Sequence, residues 1–309
     1  MTKRLPPVDG SSIGSPLSAA RAPARDIRDW IYWLGVSKLD LPAGAALHGG
    51  MLTDHACLRI ITGGTWIAET ASGLMKFDPG RDGMALYFGP QSQHVKLTVQ
   101  GSFRILTMHL RAGASTVLEA PAQTESRDCI YDHHSIVGHG NLASRFDPAA
   151  SDEDWLVAME DEMRKFLCLR DTAPPDPVIT AFERASLSTP DMSIAGFAEE
   201  HGISPRTLER LVMRDYGVTP KTVLRRARAL DMAAAILGVV APDEQSELEL
   251  RYFDQSHLIK EIRHFFGMTP SELPQRAIPL LRVNLEIRQS RRLEAMGRWT
   301  PDEPLPWSK

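Results

Sequence analysis

Apolar residues along this chain follow two different rhythms. Between residues 30 and 110 they come in short dense runs, at 57–61, 65–68, 84–88, 94–99 and 103–110, separated by Gly, Pro and Asp. Runs of that length between turn residues predict the strands of a sandwich or small barrel. From residue 151 to 169 the rhythm becomes helical: Trp155, Met159, Met163 and Phe166, with Leu156 and Leu167, line one stripe behind an acid-rich start suited to the helix dipole. Packing of that stripe onto the β unit is the plain reading, and a dimer contact is the sharper one. Residues 171–177 hold Pro174, Pro175 and Pro177 and predict a stiff linker, after which residues 178–187 start a helical region.

Between residues 193 and 273 one unit is written twice. Placing Ser204 over Asp254, an offset of 50 positions, brings Leu208 onto Leu258, Arg210 onto Lys260 and Val212 onto Ile262. The same offset brings Tyr216-Gly217-Val218-Thr219-Pro220 onto Phe266-Gly267-Met268-Thr269-Pro270. Two copies are too few for a solenoid and indicate a duplicated supersecondary unit. In the first copy a short amphipathic helix, 193–201, stops at Gly202. Ser204-Pro205 then opens a second helix, N-cap followed by proline at the first helical position. Its inward residues are Leu208, Leu211 and Val212, and its outer face offers Arg206, Thr207, Glu209, Arg210 and Arg214. Helix, tight turn and polar-tipped second helix make a helix-turn-helix, whose second helix can enter a major groove. The second copy predicts a helix over 255–266 capped by Asp254, and a long helix from Lys221 to about Leu237 joins the copies. Twenty helical residues span roughly 30 Å, close to the turn of B-DNA at about 34 Å. One rigid helix could therefore hold two recognition helices in successive grooves.

Residues 193–273 resemble the DNA-binding domain of AraC/XylS-type transcriptional regulators. The resemblance is carried by Ile203-Ser204-Pro205-Arg206-Thr207-Leu208-Glu209-Arg210, the Tyr-Gly-Val-Thr-Pro step, Tyr252-Phe253-Asp254-Gln255-Ser256-His257-Leu258-Ile259-Lys260 and Gly267-Met268-Thr269-Pro270-Ser271-Glu272-Leu273. It implies a DNA reader whose contacts come from Ser204, Arg206, Thr207, Glu209, Arg210 and Arg214 in the first unit. Those of the second unit would be Gln255, Ser256, His257, Lys260 and Arg263. It also implies a cupin-like amino-terminal barrel that senses a small-molecule effector or supports a homodimer, with RNA polymerase as a further partner. The chain departs from the family pattern at Ser246, Glu247 and Arg251, where an apolar residue, a small residue and a glycine are favoured. An arginine in a left-handed turn costs about 1 kcal/mol, so the second unit is expected to be the less regular one.

Composition narrows this little. A formal charge of −4 over 309 residues gives no global basic field. Positive charge gathers locally at Arg206, Arg210, Arg214, Lys221, Arg225, Arg226 and Arg228, and in the tail at Arg276, Arg282, Arg288, Arg291, Arg292 and Arg298. Phosphate contact needs only such local charge. Cys57, Cys129 and Cys168 suit a reducing compartment rather than a disulfide framework. With no signal peptide and no apolar run near the ~20 residues of a membrane span, a cytoplasmic protein without membrane contact is expected. His48, His55, His94 and His109 lack metal-cupin spacing, and Cys129, His133, His134 and His139, in a stretch that reads as an exposed loop, match no zinc pattern. No metal, cofactor or catalytic constellation is expected. The rivals are a cupin-type metalloenzyme and an interaction or sensing module whose DNA binding has degenerated.

The expected fold class is thus α+β, a cupin-like β-barrel followed by an all-α domain with two helix-turn-helix units. The expected division is a disordered tail over 1–25, a sensor or dimerisation domain over 26–170, a linker over 171–177, a DNA-binding domain over 178–275 and a basic extension over 276–309. A helix over 278–296 in that extension, basic on its exposed side, could brace the domain, touch phosphate or remain mobile, and a solvated surface helix is the plain reading.

Overall fold

The computed structural model describes residues 16–138, 140–241, 244, 255–276 and 279–300. The amino-terminal half is built from strands β1 (Leu17–Arg21), β2 (Ile31–Leu39), β3 (Ala46–Met51), β4 (Cys57–Thr62), β5 (Thr65–Thr70), β6 (Gly73–Phe77), β7 (Met84–Phe88), β8 (Val95–Gln100), β9 (Phe103–Leu110) and β10 (Ile130–Asp132). They form two antiparallel sheets, β1-β2-β9-β4-β7-β10 and β3-β8-β5-β6, facing each other in the cupin-like arrangement expected. In β8, Val95, Leu97 and Val99 are buried while Lys96 and Gln100 are exposed, so period-two alternation marks a sheet with one wet face. Strand β9 has no wet face. Phe103 and Ile105 point into the core between the sheets, whereas Leu106, Met108 and Leu110 point outward under α4 (Asp152–Arg170). Trp155, Leu156, Met159 and Met163 of α4 cover that outer face, which is the plain reading of its stripe. A capping box between Ser151 and Asp154 starts the helix.

Some expectations on this half are corrected. Leu17–Arg21, inside the stretch read as a disordered tail, is β1 and pairs with β2. The stretch around His133, read as an exposed loop, is β10 followed by α3 (His133–Val137). Strand β3 escapes its sequence because Gly49 and Gly50 interrupt the apolar run. The glycine is needed: a Cβ on Gly50 would lie 2.3 Å from both the His94 ring and the Val95 carbonyl of β8. Two short helices, α1 (Ala114–Val117) and α2 (Gln123–Ser126), follow β9.

The carboxy-terminal half is helical: α5 (Pro177–Ser188), α6 (Ile194–Glu200), α7 (Pro205–Tyr216), α8 (Pro220–Ile236), α9 (Gln255–Phe266), α10 (Leu273–Arg276) and α11 (Leu280–Ala295). It has two apolar cores joined by α8. Val223 and Leu224 close one with Phe182, Phe197, Leu208 and Val212. Leu230, Met232 and Ala233 close the other with Ile262, Phe265 and Leu285. The helix expected over 278–296 exists, but its predicted exposure is wrong. Helix α11 packs against α5, α8 and β3, and its Glu286, Arg288, Gln289, Arg291 and Arg292 are all buried. Charge partners on four other segments, Asp54, Glu183, Asp231 and Glu244, take it out of water. Among the described residues, no helix is long and apolar enough to cross a membrane.

Candidate nucleic-acid interface

Local capping chemistry builds the first helix-turn-helix. Ser193 caps α6 by accepting from the Gly196 amide at 3.1 Å, and Gly202 turns the chain at φ +65°. Ser204 caps α7 by accepting from the Thr207 amide at 3.1 Å, and the two hydroxyls lie 2.9 Å apart. Both hydroxyls are thus occupied in starting the helix. Leu208, Leu211, Val212 and Tyr216 bury one face of α7, which leaves Arg206, Glu209 and Arg210 exposed on the other. Arg214 stands apart, because its guanidinium grips Asp215 at 2.8 and 2.6 Å and its charge is already met.

In the second unit Ile262, Phe265 and Phe266 of α9 are buried, and Lys260 and Arg263 are exposed. Glu261 docks α9 on α8 by accepting from Arg225 at 3.1 and 2.9 Å. The side chains of Gln255, Ser256 and His257 lie outside the described residues, as do Ser246, Glu247, Arg251 and Asp254.

The basic cluster read from the sequence is largely not a phosphate surface. Arg226 is fully buried, donating to the Gln91 carbonyl at 2.5 Å and to the Asp54 carbonyl at 2.8 Å. Arg228 donates to the Pro190 carbonyl, and Arg282 to Glu286 and the Leu237 carbonyl. Arg288 binds Asp54 and Asp231, Arg291 binds Glu183, and Arg292 with Arg298 binds Glu244. Among the described residues, Arg214 aside, the exposed Lys and Arg side chains on or beside α7 and α9 are Arg206, Arg210, Lys221, Lys260 and Arg263.

Those buried arginines form a charged seam between the halves that sequence reasoning missed. Glu183 of α5 accepts from Arg291 at 2.6 Å, from Arg111 at 3.2 Å and from the Ala112 amide at 3.1 Å, with His55 Nε2 3.1 Å away. Burial alone would raise its pKa, but Arg291, His55 and Arg111 overcome this and hold the carboxyl well below the usual range. The same contest, won by Arg288 and Arg226, lowers Asp54. Burial lowers His55 against the opposing pull of Glu183 and keeps the ring neutral. Arg291 also lies 3.4 Å from the centroid of the Tyr32 ring. Available signals were Asp231 inside the otherwise apolar helix 229–236, and Arg288, Arg291 and Arg292 at one-face spacing.

The carboxy-terminal ends of α7 and α9 are pinned to the amino-terminal half. Asp215 near the end of α7 accepts from Thr116 at 2.6 Å, and Arg127 donates to the Gly217 carbonyl at 2.9 Å. Gly217 has φ +67°, and a Cβ there would lie 2.4 Å from the Gln123 carbonyl. Near the end of α9 the Phe265 carbonyl accepts from the His94 amide at 2.7 Å. Among the described residues, no group of His, Cys, Asp or Glu is arranged to hold a metal ion; His139 lies outside them.

Residues 197–276 match a family model described as a helix-turn-helix domain. No curated protein matches the chain. Among solved structures, ToxT from Vibrio cholerae is similar at 10% identity over 80% of this chain and 98% of that one, with a TM-score of 0.45. The AraC-like transcriptional activator CuxR is similar at 14% identity over 69% and 85%, with a TM-score of 0.30. A cupin domain from Bordetella pertussis Tohama I is similar at 13% identity, covering 33% of this chain and all of its own, with a TM-score of 0.22. Likenesses at this level decide neither ligand nor operator.

Proposed function

We propose that this chain, whose residues 197–276 form an AraC-type helix-turn-helix domain, is a sequence-specific DNA-binding transcriptional regulator. In this reading it enters two successive major grooves with α7 and α9, and a small molecule at the β unit modulates it. The carrying observation is α7 itself: a Ser-capped helix, buried along one face, that presents Arg206, Glu209 and Arg210 free at its amino-terminal end. That is the end a recognition helix points at base edges. Arg206 and Arg210 suit guanine edges or phosphate, Glu209 can accept from cytosine, and Gln255 suits adenine. Lys260 and Arg263 give α9 the corresponding charge. Helix α8, with 17 residues, spans about 25 Å and joins the two units as one rigid piece.

Modulation has a direct mechanical route in this reading. The β unit holds α7 through Asp215 and Gly217 and α9 through Phe265, so movement of the β unit changes how the two helices are set. The division proposed is a sensor over about 26–170, a linker over 171–177 and a reader over 178–275.

The test is binding to a fluorescent random-sequence duplex at several salt concentrations. With five exposed cations available, log K should fall against log salt with a slope no steeper than about −4 to −5. An Arg206→Ala, Arg210→Ala double variant should flatten that slope by about 2. Binding that ignores salt, or a variant that keeps the full slope, contradicts the assignment.

A further inference from the structure

Asp215 ties the first recognition helix to the amino-terminal half and holds an arginine at the same time. Its carboxylate is fully buried near the end of α7. Oδ1 accepts from the Thr116 hydroxyl at 2.6 Å and from Arg214 Nε at 2.8 Å, and Oδ2 accepts from Arg214 Nη2 at 2.6 Å. Thr116 belongs to α1, between β9 and β10. The start of α1 is seated closely on this carboxylate: a Cβ on Gly113, at φ +80°, would lie 3.2 Å from the Pro175 side chain and 3.5 Å from Asp215 Oδ2.

The arginine held in this way stands on the outer face of α7. Arg206, Arg210 and Arg214 are spaced by four, which places them in one stripe, and all three are exposed. Eight residues of helix span about 12 Å, about the width of the major groove. In the reading that sets Arg206 at base edges, Arg214 is therefore two turns further along, level with the phosphate wall. A guanidinium carries its donors in a rigid planar fork. Asp215 takes the edge formed by Nε and Nη2, and among the described residues Nη1 makes no hydrogen bond. The outer edge, Nη1 with the second hydrogen of Nη2, stays open on a side chain that is 40% exposed. That edge has the geometry a pair of phosphate oxygens requires. A free arginine gives up rotamer freedom when it binds, whereas this one has given it up already.

We propose that Arg214 grips a DNA phosphate through its outer edge, and that Asp215 and Thr116 are the positioning residues that aim it, so that the amino-terminal half controls a DNA contact through one hydroxyl. This deepens the reading of the chain as a modulated DNA-binding regulator and rests on it. The contact carries no sequence information. Because the Arg214–Asp215 pair is neutral, it adds hydrogen bonds without adding to the counterions released. A shift of α1 that withdraws the Thr116 hydroxyl leaves the Asp215 carboxylate free to turn and the fork to swing off the phosphate. Modulation then reaches one contact without displacing α7 as a whole.

The test is titration of a fluorescent random-sequence duplex with the full chain, at several salt concentrations. Wild type is compared with Thr116→Ser, Thr116→Val, Arg214→Lys and the Thr116→Val, Arg214→Lys double variant. Thr116 and Arg214 are exposed and these replacements are close in size, so Tm should stay level. Thr116→Val should weaken binding about threefold to tenfold, and Thr116→Ser, which keeps the hydroxyl, should bind like wild type. Arg214→Lys keeps the charge and loses the fork, so it should weaken binding by a similar factor. The double variant should match Arg214→Lys within about 1.5-fold, since no fork is left to aim. The salt slope should be the same in all of them, because no charge is removed. With wild-type binding that weakens with salt, three outcomes overturn this proposal alone: no loss in Thr116→Val, no loss in Arg214→Lys, or the same fold-loss from Thr116→Val with and without Arg214→Lys, which marks a plain structural role. Wild-type binding that ignores salt overturns the DNA reading and this proposal with it.

Discussion

Removing the Glu183 charge should unfasten the two halves of the molecule. Its carboxylate is 2% exposed and serves Arg291, Arg111, His55 and the Ala112 amide together. In Glu183→Gln the amide oxygen can still accept from Ala112, but the buried Arg291 loses its counter-charge. Breaking a buried pair from one side costs about 3–5 kcal/mol, far more than an exposed pair is worth, because the remaining charge stays desolvated. At about 2 °C per kcal/mol for a chain of this size, Tm should fall by roughly 6–10 °C. Arg291→Met alone is also destabilising, since it leaves Glu183 with only Arg111 and His55. The double variant removes both charges, so its loss should be smaller than the sum of the two single losses by at least about 1–2 kcal/mol. Thermal unfolding gives the shifts, and urea titration of the four proteins gives the coupling. A single-variant shift under about 1 °C, or losses additive within about 0.5 kcal/mol, would refute the claim that this buried charge cluster holds the fold together.

Two further predictions use other parts of the interface. Gly217→Ala forces a left-handed residue, costing about 1 kcal/mol, and drives a Cβ into the Gln123 carbonyl. Its Tm should drop by several degrees, whereas Gly202→Ala, with open space around it, pays only the backbone strain; equal effects would show that the contact with α2 is unimportant. Acid should weaken the fold in the range where buried histidines resist protonation. Burial lowers His94 to about 4 and also lowers His55 and His109. Because the folded pKa lies below the unfolded value near 6.5, this stability is complete above that value and is lost as pH falls towards the folded one. For His94 the loss by pH 5 is about 1–2 kcal/mol, so Tm should be level from pH 8 to 7 and decline from 6.5 to 5, less steeply in His94→Gln. The lowered Asp54 and Glu183 carboxyls act further down: their contribution is present above the unfolded value near 4 and goes as pH falls through their depressed folded values.

Where a face of an element meets water, its sequence was readable. Strand β8 alternates, α7 keeps a Ser-Pro start and a glycine end, and α9 was expected at the bounds observed. Strands β7 and β9 were found as dense apolar runs because both lie in the sheet that is covered by core. Strands β1, β2, β3, β6 and β10 were missed; small or exposed residues leave β1, β3 and β6 little pattern, and long-range pairing rather than local preference makes them strands. Helix α11 was legible as a helix and illegible in its place. Its arginines look like a solvated face, and only the positions of Asp54, Glu183, Asp231 and Glu244 on distant segments bury them. The candidate site divides in the same way. Arg206, Glu209 and Arg210 stand exposed, whereas Arg225, Arg226 and Arg228 turn inward to partners no spacing rule reveals, and Arg214 stays exposed but grips its neighbour Asp215.

The central claim is that two recognition helices on one rigid α8 read two short blocks of sequence. Selection of bound duplexes from a random library with the full chain, repeated at two salt concentrations, tests it most directly. The account predicts one enriched site with two blocks separated by about one helical turn, roughly 34 Å centre to centre, surviving the higher salt. A library that emerges without enrichment at either salt would contradict it.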